Sequence, residues 1–388
     1  MPAHPDPNHR ILAHCQSGRP GPTLVAFAGI HGNEPAGIEA CRLIADALDS
    51  GQIPFRGQFI AIAGNLQAID QNIRFIQRDL NRSWDDGDID GLRAQDPSRD
   101  VAEDIEQRAL LDVLDPLNAQ ADAPIVYIDL HSTSGHGAPF CAMADTLRNR
   151  KIAFALPIPV ILGLEECIET VLLGWLSDLG HIGLVIEGGQ HNDPNTVDFL
   201  ASALWLTLVA GELVLAENAP DLDGAYAKLE TAARGLPQVV EILHREAIVP
   251  EQIFRMKPGY DNFQIVAHQE HLAEDREGDI LAPMDGRILM PLYQNVGEDG
   301  FFITRDVDRR WLTASAWLRR LRLCRTLTWL PGVHRHPRFP DRWVVDPNVA
   351  RWHTRNVFHL FGYRRRHQEG ELEIYSRRRP DHHPIHRR

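Results

Sequence analysis

Four short segments of this chain are apolar at nearly every position rather than at alternate ones, and each runs into a polar or glycine-bearing loop. Thr23–Ala28 (TLVAFA) leads into Gly29-Ile30-His31-Gly32-Asn33-Glu34, and Phe59–Ala63 (FIAIA) ends at Gly64-Asn65. Ile125–Leu130 (IVYIDL) runs into His131-Ser132-Thr133, and Gly183–Ile186 (GLVI) into Glu187-Gly188-Gly189. A strand that is apolar on both faces has to be covered on both, which is the situation of a parallel sheet between helical layers. Helical spacing fills the gaps: Pro35 opens a pattern through Leu48, Asp100–Leu114 follows, and Val197–Glu217 reads as a long amphipathic helix. Pro159–Leu162 is a further buried strand. Strands alternating with helices predict an α/β domain with a mostly parallel central sheet. Open sheets of this kind place their sites just beyond the strand ends, so those loops hold the candidate residues.

At 388 residues the chain has room for two or three domains. After about residue 236 the texture changes to short alternating runs (Gln238–Leu243, Phe263–Ala267, Gly286–Met290, Gly300–Thr304) punctuated by turn signals, which predicts a small all-β domain. From about 308 onward the chain is rich in Arg and Trp. The expected division is 1–235 (catalytic α/β), 236–307 (small β domain shaping access) and 308–388 (basic extension). Charge follows the same division. Residues 1–300 hold 20 Lys+Arg against 45 Asp+Glu, whereas residues 301–388 hold 20 against 8. Five scattered cysteines with no CxxC pair indicate reduced thiols and a cytoplasmic protein. The polar start MPAHPDPNHR is unlike a secretory signal. The longest apolar run, Ile152–Leu164, carries Pro157 and Pro159 and is too short to span a bilayer.

Among the strand-end residues, His31 and Glu34 sit at a spacing that lets an imidazole and a carboxylate reach one zinc ion. The pair alone is weak evidence, because His271 and Glu274 repeat the spacing without a strand-loop-helix context and read as surface polar residues. His131, at the end of another buried strand, supplies the third ligand that a catalytic zinc site needs beside an open position for water. Glu187 enters the same region from an apolar strand. Desolvation there favours a raised pKa and a general-base role. The stretch Arg74-Phe-Ile-Gln-Arg-Asp-Leu-Asn-Arg82 gathers Arg74, Arg78 and Arg82 around Asn81, groups suited to a carboxylate-bearing substrate. Its bland alternative is a solvated loop paired with Asp79, Asp85 and Asp86. Neither a G-x-S-x-G elbow nor a glycine-rich phosphate loop is present.

In this order, GIHGNEPAG (29–37), RFIQRDLNR (74–82), DLHST (129–133) and IEGG (186–189) resemble the succinylglutamate desuccinylase/aspartoacylase family, a branch related to zinc carboxypeptidases. The resemblance covers about residues 20–305. It implies a zinc-carboxypeptidase-like α/β/α sandwich and one zinc ion per chain held by His31, Glu34 and His131. It implies Glu187 as general base and acid, and Arg74 as the group that polarises the scissile carbonyl. Asn81 and Arg82 would hold the substrate carboxylate, and Asp79 would orient His31. The chain departs from the aspartoacylase pattern twice, with Ser177 where an Arg is expected and Phe301-Phe302 near an expected Tyr. Both departures argue against N-acetylaspartate, a dianion that needs more cationic partners. The stretch 278–291 is similar to biotinyl and lipoyl hairpins but lacks the Lys they modify.

Three readings stay open on the sequence. The first is a zinc-dependent amidohydrolase acting on an N-acyl amino acid or similar small acylated amine. The second is a metallocarboxypeptidase-like peptidase. The third is a binding protein acting through Arg309–Leu330, a basic amphipathic helix that suits an anionic membrane surface. Docking of the basic tail on its own acidic body is the bland alternative. Nucleic acid is not expected as a partner, and homo-oligomerisation stays open.

Overall fold

A computed structural model of the chain describes residues 10–376 except 169, 295, 322, 340–341 and 351–353. The first eight strands are β1 (Ile11–Gln16), β2 (Thr23–Ala28), β3 (Gln58–Ala63), β4 (Val126–Thr133), β5 (Phe140–Met143), β6 (Val160–Leu162), β7 (Ile182–Gln190) and β8 (Val239–Ala247). They lie in the order β1-β3-β2-β4-β7-β5-β6-β8. Five of the seven pairings are parallel; only β1–β3 and β5–β7 are antiparallel.

The doubly apolar strands do what their sequence requires. Leu24, Ala26, Val126, Ile128, Leu184 and Ile186 point to one core, while Val25, Phe27, Ile125, Tyr127 and Val185 point to the other. Two helical layers cover these faces, drawn from α1 (Ala36–Asp49), α2 (Ala102–Ala119), α3 (Leu147–Ala153), α4 (Leu172–Asp178) and α5 (Asn195–Ala210). Helices α1, α3 and α5 bury their apolar stripes on the first face, α2 and α4 on the second. The fold is therefore mixed α/β with a large, mostly parallel central sheet. Helix α5 stops earlier than its apolar pattern suggests. Gly211 follows its last turn, and Glu212 turns to φ +67°, where the chain leaves the helical path.

Beyond β8 the chain forms β9 (Arg255–Met256), β10 (Ile265–Val266), β11 (His271–Glu274), β12 (Asp279–Leu281), β13 (Gly286–Leu289) and β14 (Asp299–Asp306). Strands β14, β13 and β10 continue the central sheet past β8 by antiparallel pairing, while β12-β11-β9 make a separate small sheet. The loop between β13 and β14 reaches back over the ends of β4 and β7.

The basic segment starts with α6 (Arg309–Arg320) and continues into a 3-10 stretch, Leu323–Trp329, so it is not one long helix. Then come β15 (Val333–Arg335), β16 (Trp343–Val345), α7 (Thr354–Leu360), β17 (Arg365–Glu369) and β18 (Leu372–Ser376), the strands forming the sheet β15-β16-β18-β17. Trp343, Val345, Phe358, Tyr363 and Tyr375 pack as its core. Helix α6 buries Leu312, Ser315 and Arg319, one stripe at helical spacing, and turns Trp311 and Trp317 outward.

That buried arginine meets a carboxylate of the acidic body. Arg319 Nη2 donates to Asp145 Oδ2 at 2.8 Å, Arg364 Nε to the same oxygen at 2.6 Å, and Arg150 Nε to Oδ1 at 2.6 Å. Burial alone would raise the Asp145 pKa, but these three guanidinium groups hold it well below the carboxylate range. Nearby, Arg364, Arg355 and Arg305 pair with Glu166 and Glu241. Among the described residues, no helix is long and apolar enough to cross a membrane.

Candidate metal centre and its cavity

Three strand ends bring the candidate residues together. The loop after β2 carries His31 and Glu34, with Pro35 opening α1 immediately afterwards. His131 lies in β4 directly beside Glu187 in β7, its register partner in the parallel ladder. Their odd numbers put them on the face of Tyr127 and Val185. The first loop is pinned closely to its neighbours: Gly32 N donates to Arg74 O at 3.2 Å, and a Cβ at Gly32 would lie 2.1 Å from the Ala68 carbonyl carbon. Only glycine permits that approach.

The two imidazoles converge on one carboxylate through matching atoms. His31 Nδ1 is 2.9 Å from Glu34 Oε1, and His131 Nδ1 is 3.0 Å from Glu34 Oε2. The opposite nitrogens rest on aspartates: His31 Nε2 is 3.1 Å from Asp79 Oδ1, and His131 Nε2 is 2.8 Å from Asp129 Oδ2. One ligand atom each from His31, Glu34 and His131 lies within 4.8 Å of the others, and all three residues are buried. A carboxylate behind an imidazole favours the tautomer that leaves Nδ1 free to coordinate; Asp79 lies at hydrogen-bonding distance behind His31, and Asp129 at ion-pair distance behind His131. Asp129 stands two residues before His131, so the strand period puts both on one face. The sequence reading missed it, although Asp-x-His inside an apolar strand is a readable signal.

Arg74 Nη2 donates to Asp79 Oδ2 at 3.0 Å, and its Nη1 lies 3.6 Å from Glu34 Oε1. Its loop is shaped by Glu103 at the start of α2. That buried carboxylate accepts from the amides of Ile76 at 2.7 Å, Gln77 at 3.1 Å and Arg78 at 3.3 Å. Arg78 turns away, toward Asp104, Ser83 and Gln107. Asn81 uses its side-chain oxygen on the Leu172 amide at 2.9 Å. Arg82 Nη2 donates to Asp299 Oδ2 at 2.8 Å. Ser177 is buried in α4, and Phe301 and Phe302 are buried in β14. None of these three lines the site cavity.

Electrostatics separate the two glutamates. Burial would raise the Glu34 pKa, but His31 and His131 pull it well below the usual range. Glu187 is pushed up to about 7, chiefly by burial, with a further rise from Glu34 and opposition from His131. Its Oε2 is buried without a hydrogen-bond partner. His131 shows the converse: burial would lower its pKa, yet Asp129 and Glu34 raise it well above the usual value. The cavity at this centre, about 120 Å³, is lined by these residues and by apolar side chains. A larger cavity of about 320 Å³ lies where the basic segment meets the body, lined by Arg150, Arg305 and Arg364 against Glu241, Asp306 and Asp308. Beside it, Glu166, Glu241 and His359 approach as closely as metal ligands do, but Arg364 Nη1 already sits 2.8 Å from Glu241 Oε1.

Residues 20–198 match the family described as the succinylglutamate desuccinylase/aspartoacylase catalytic domain. A succinylglutamate desuccinylase from Shewanella frigidimarina is 32% identical over 109 residues, 28% of this chain and 31% of that protein. The chain thus spans about a third of the length of the curated relative it matches. The crystal structure of a succinylglutamate desuccinylase/aspartoacylase from Rhodobacter sphaeroides shares 18% identity over 76% of this chain and 87% of that one, with a TM-score of 0.55. Murine aminoacylase 3 shares 18% over 74% of this chain and 96% of that one, with a TM-score of 0.50. At such identities the two superpositions speak for the fold. Sequence match and fold agree that residues 20–198 belong to the succinylglutamate desuccinylase/aspartoacylase family.

Proposed function

We propose that this chain is a zinc-dependent amidohydrolase that cleaves the amide bond of an N-acyl amino acid or similar small acylated amine. The observation that carries the reading is an imbalance of charge. Four buried carboxylates, Glu34, Asp79, Asp129 and Glu187, crowd one centre; Arg74 pairs with two of them, and Arg82 at the cavity wall is already paired with Asp299. Buried charge of one sign is costly unless compensated. A divalent cation between His31, Glu34 and His131 brings the centre near neutrality, and two imidazoles with a carboxylate are a donor set that zinc accepts. Such an ion supplies Lewis acidity toward a carbonyl and makes water acidic near neutral pH.

The chain's own groups do the rest. Glu187, a cavity-lining carboxylate whose pKa burial raises and whose Oε2 has no hydrogen-bond partner, takes a proton from the attacking water and returns it to the amine nitrogen as the C–N bond breaks. The products are one carboxylic acid and one amine. Arg74, held by Asp79, offers a guanidinium to the developing oxyanion. Asp79 and Asp129 orient the imidazoles. The loop between β13 and β14 supports a small substrate over a peptide: Gln294 accepts from Asn33 Nδ2 at 3.2 Å, and Tyr293 N donates to Ser134 at 3.0 Å, closing that side.

The test is a panel of N-acyl amino acids and short peptides assayed with metal-loaded and chelated protein. Chelator-sensitive hydrolysis of N-acyl amino acids is expected. Turnover that survives complete metal removal, or that is confined to peptides, would overturn the reading.

A further inference from the structure

The site cavity has two unlike walls. One is the polar centre described above. The other is apolar, formed by Leu164, Ile168, Val171, Leu173, Val185 and Leu292. Val185 precedes Glu187 by two residues on β7, so the apolar wall begins where the proton-transfer group ends.

Arg82, the cation that the family resemblance gives to a substrate carboxylate, is already engaged. Arg82 Nη2 donates to Asp299 Oδ2 at 2.8 Å, its Nη1 to the Asn81 carbonyl at 3.0 Å, and its Nε lies 3.4 Å from Glu298 Oε2. Asp299 is fixed from the other side by Arg245, whose Nε donates to Oδ1 at 2.5 Å. Arg245 in turn donates through Nη1 to the Cys167 carbonyl at 2.9 Å, beside the apolar wall. The other guanidinium at the centre, Arg74, is paired with Asp79, lies 3.6 Å from Glu34 and is the group proposed for the oxyanion. A dicarboxylate would have to displace the buried Asp299 from Arg82, leaving it with Arg245 alone beside the incoming charge. An apolar body meets a wall that gains from contact with it.

Resting on the amidohydrolase reading, we propose that the substrate is an N-acyl compound with an apolar body, and that Asp299, by occupying Arg82, disfavours each carboxylate a substrate brings and N-acyl dicarboxylic acids most. Asp299 is thus a specificity-determining residue 217 positions from the arginine it occupies. Freeing Arg82 admits the disfavoured class.

Two measurements test this separately from catalysis. Calorimetric titration of zinc-loaded protein with N-acetyl-leucine and with N-acetyl-aspartate reads binding, and kcat/KM on the same pair reads turnover. Wild-type protein is expected to favour the leucine compound by about tenfold or more in both, since the dicarboxylate has to break one side of a buried ion pair while the leucine side chain meets the apolar wall. Asp299→Asn is expected to narrow or reverse that ratio by strengthening the aspartate compound more than the leucine compound. Wild-type protein that binds N-acetyl-aspartate more tightly, or an Asp299→Asn variant with an unaltered ratio, would overturn the proposal. Binding with the expected preference but no turnover of either compound would refute the amidohydrolase reading and still support this one.

Discussion

Replacing Asp145 with Asn should release the basic segment from the body. Asp145 is fully buried and accepts from Arg150, Arg319 and Arg364, and its backbone carbonyl takes a further bond from Arg319 Nη1 at 2.8 Å. The amide keeps the volume and loses the charge. Three guanidinium groups are then left facing a neutral group, although Arg150 retains the Leu312 carbonyl and Ser315, and Arg364 retains Glu241. Breaking a buried ion pair from one side costs about 3–5 kcal/mol. The retained bonds favour the lower end, roughly 3 kcal/mol, for Asp145→Asn. Urea denaturation read by tryptophan fluorescence checks the size, because the basic segment carries five of the eight tryptophans. The pH dependence provides a second readout. The Asp145 carboxyl has a folded pKa below its unfolded one, so its contribution is present above the unfolded value of about 3.9 and fades as pH falls through the folded one. The variant should therefore lose stability at neutral pH and show a shallower decline in acid. A change under about 0.5 kcal/mol, the range of an ordinary surface substitution, would refute the buried-clamp reasoning.

Four further outcomes are expected. Glu187→Gln should keep the fold and metal content and lose about 10²–10⁴ in kcat, the usual share of a general base. In wild type the rate should fall in acid, because the base must be deprotonated to accept the proton, with the inflection below the metal-free value of about 7 since a bound cation favours the carboxylate; a profile flat down to pH 4 counts against Glu187. Asp129→Asn should weaken metal affinity by about 10–100-fold while leaving Glu34 in place, measured by competition with a chelating dye. Gly32→Ala should abolish soluble or active protein, because the added methyl falls on the backbone of Ala68, and wild-type activity in that variant would contradict the loop packing.

The sheet was legible because burial on both faces leaves a simple mark, an unbroken apolar run, and β2, β3, β4 and β7 all carry it. Strands β1 and β5 were not recognised. Phe140–Met143 is apolar but only four residues long, and Ile11–Gln16 mixes polar residues because β1 lies at the sheet edge. The residues of the metal centre stood out through type and position, each at the end of an apolar strand. Their supports did not. Glu103 holds the Arg74 loop from 25–27 residues away through backbone amides, which leave no pattern in sequence. Asp299 occupies Arg82 across 217 positions. The charge asymmetry was plain in the sequence, whereas the burial of Arg319 and Arg364 on Asp145 depends on how α6 rotates against the body.

The proposed hydrolysis depends on one divalent ion held by His31, Glu34 and His131. Metal analysis of purified wild type and of His31→Ala and His131→Ala, run beside amidase assays, tests it most directly. About one zinc per chain in wild type, and little metal and little activity in either variant, is the predicted result. Absence of bound metal in wild type after zinc loading, or full activity in the variants, would contradict it.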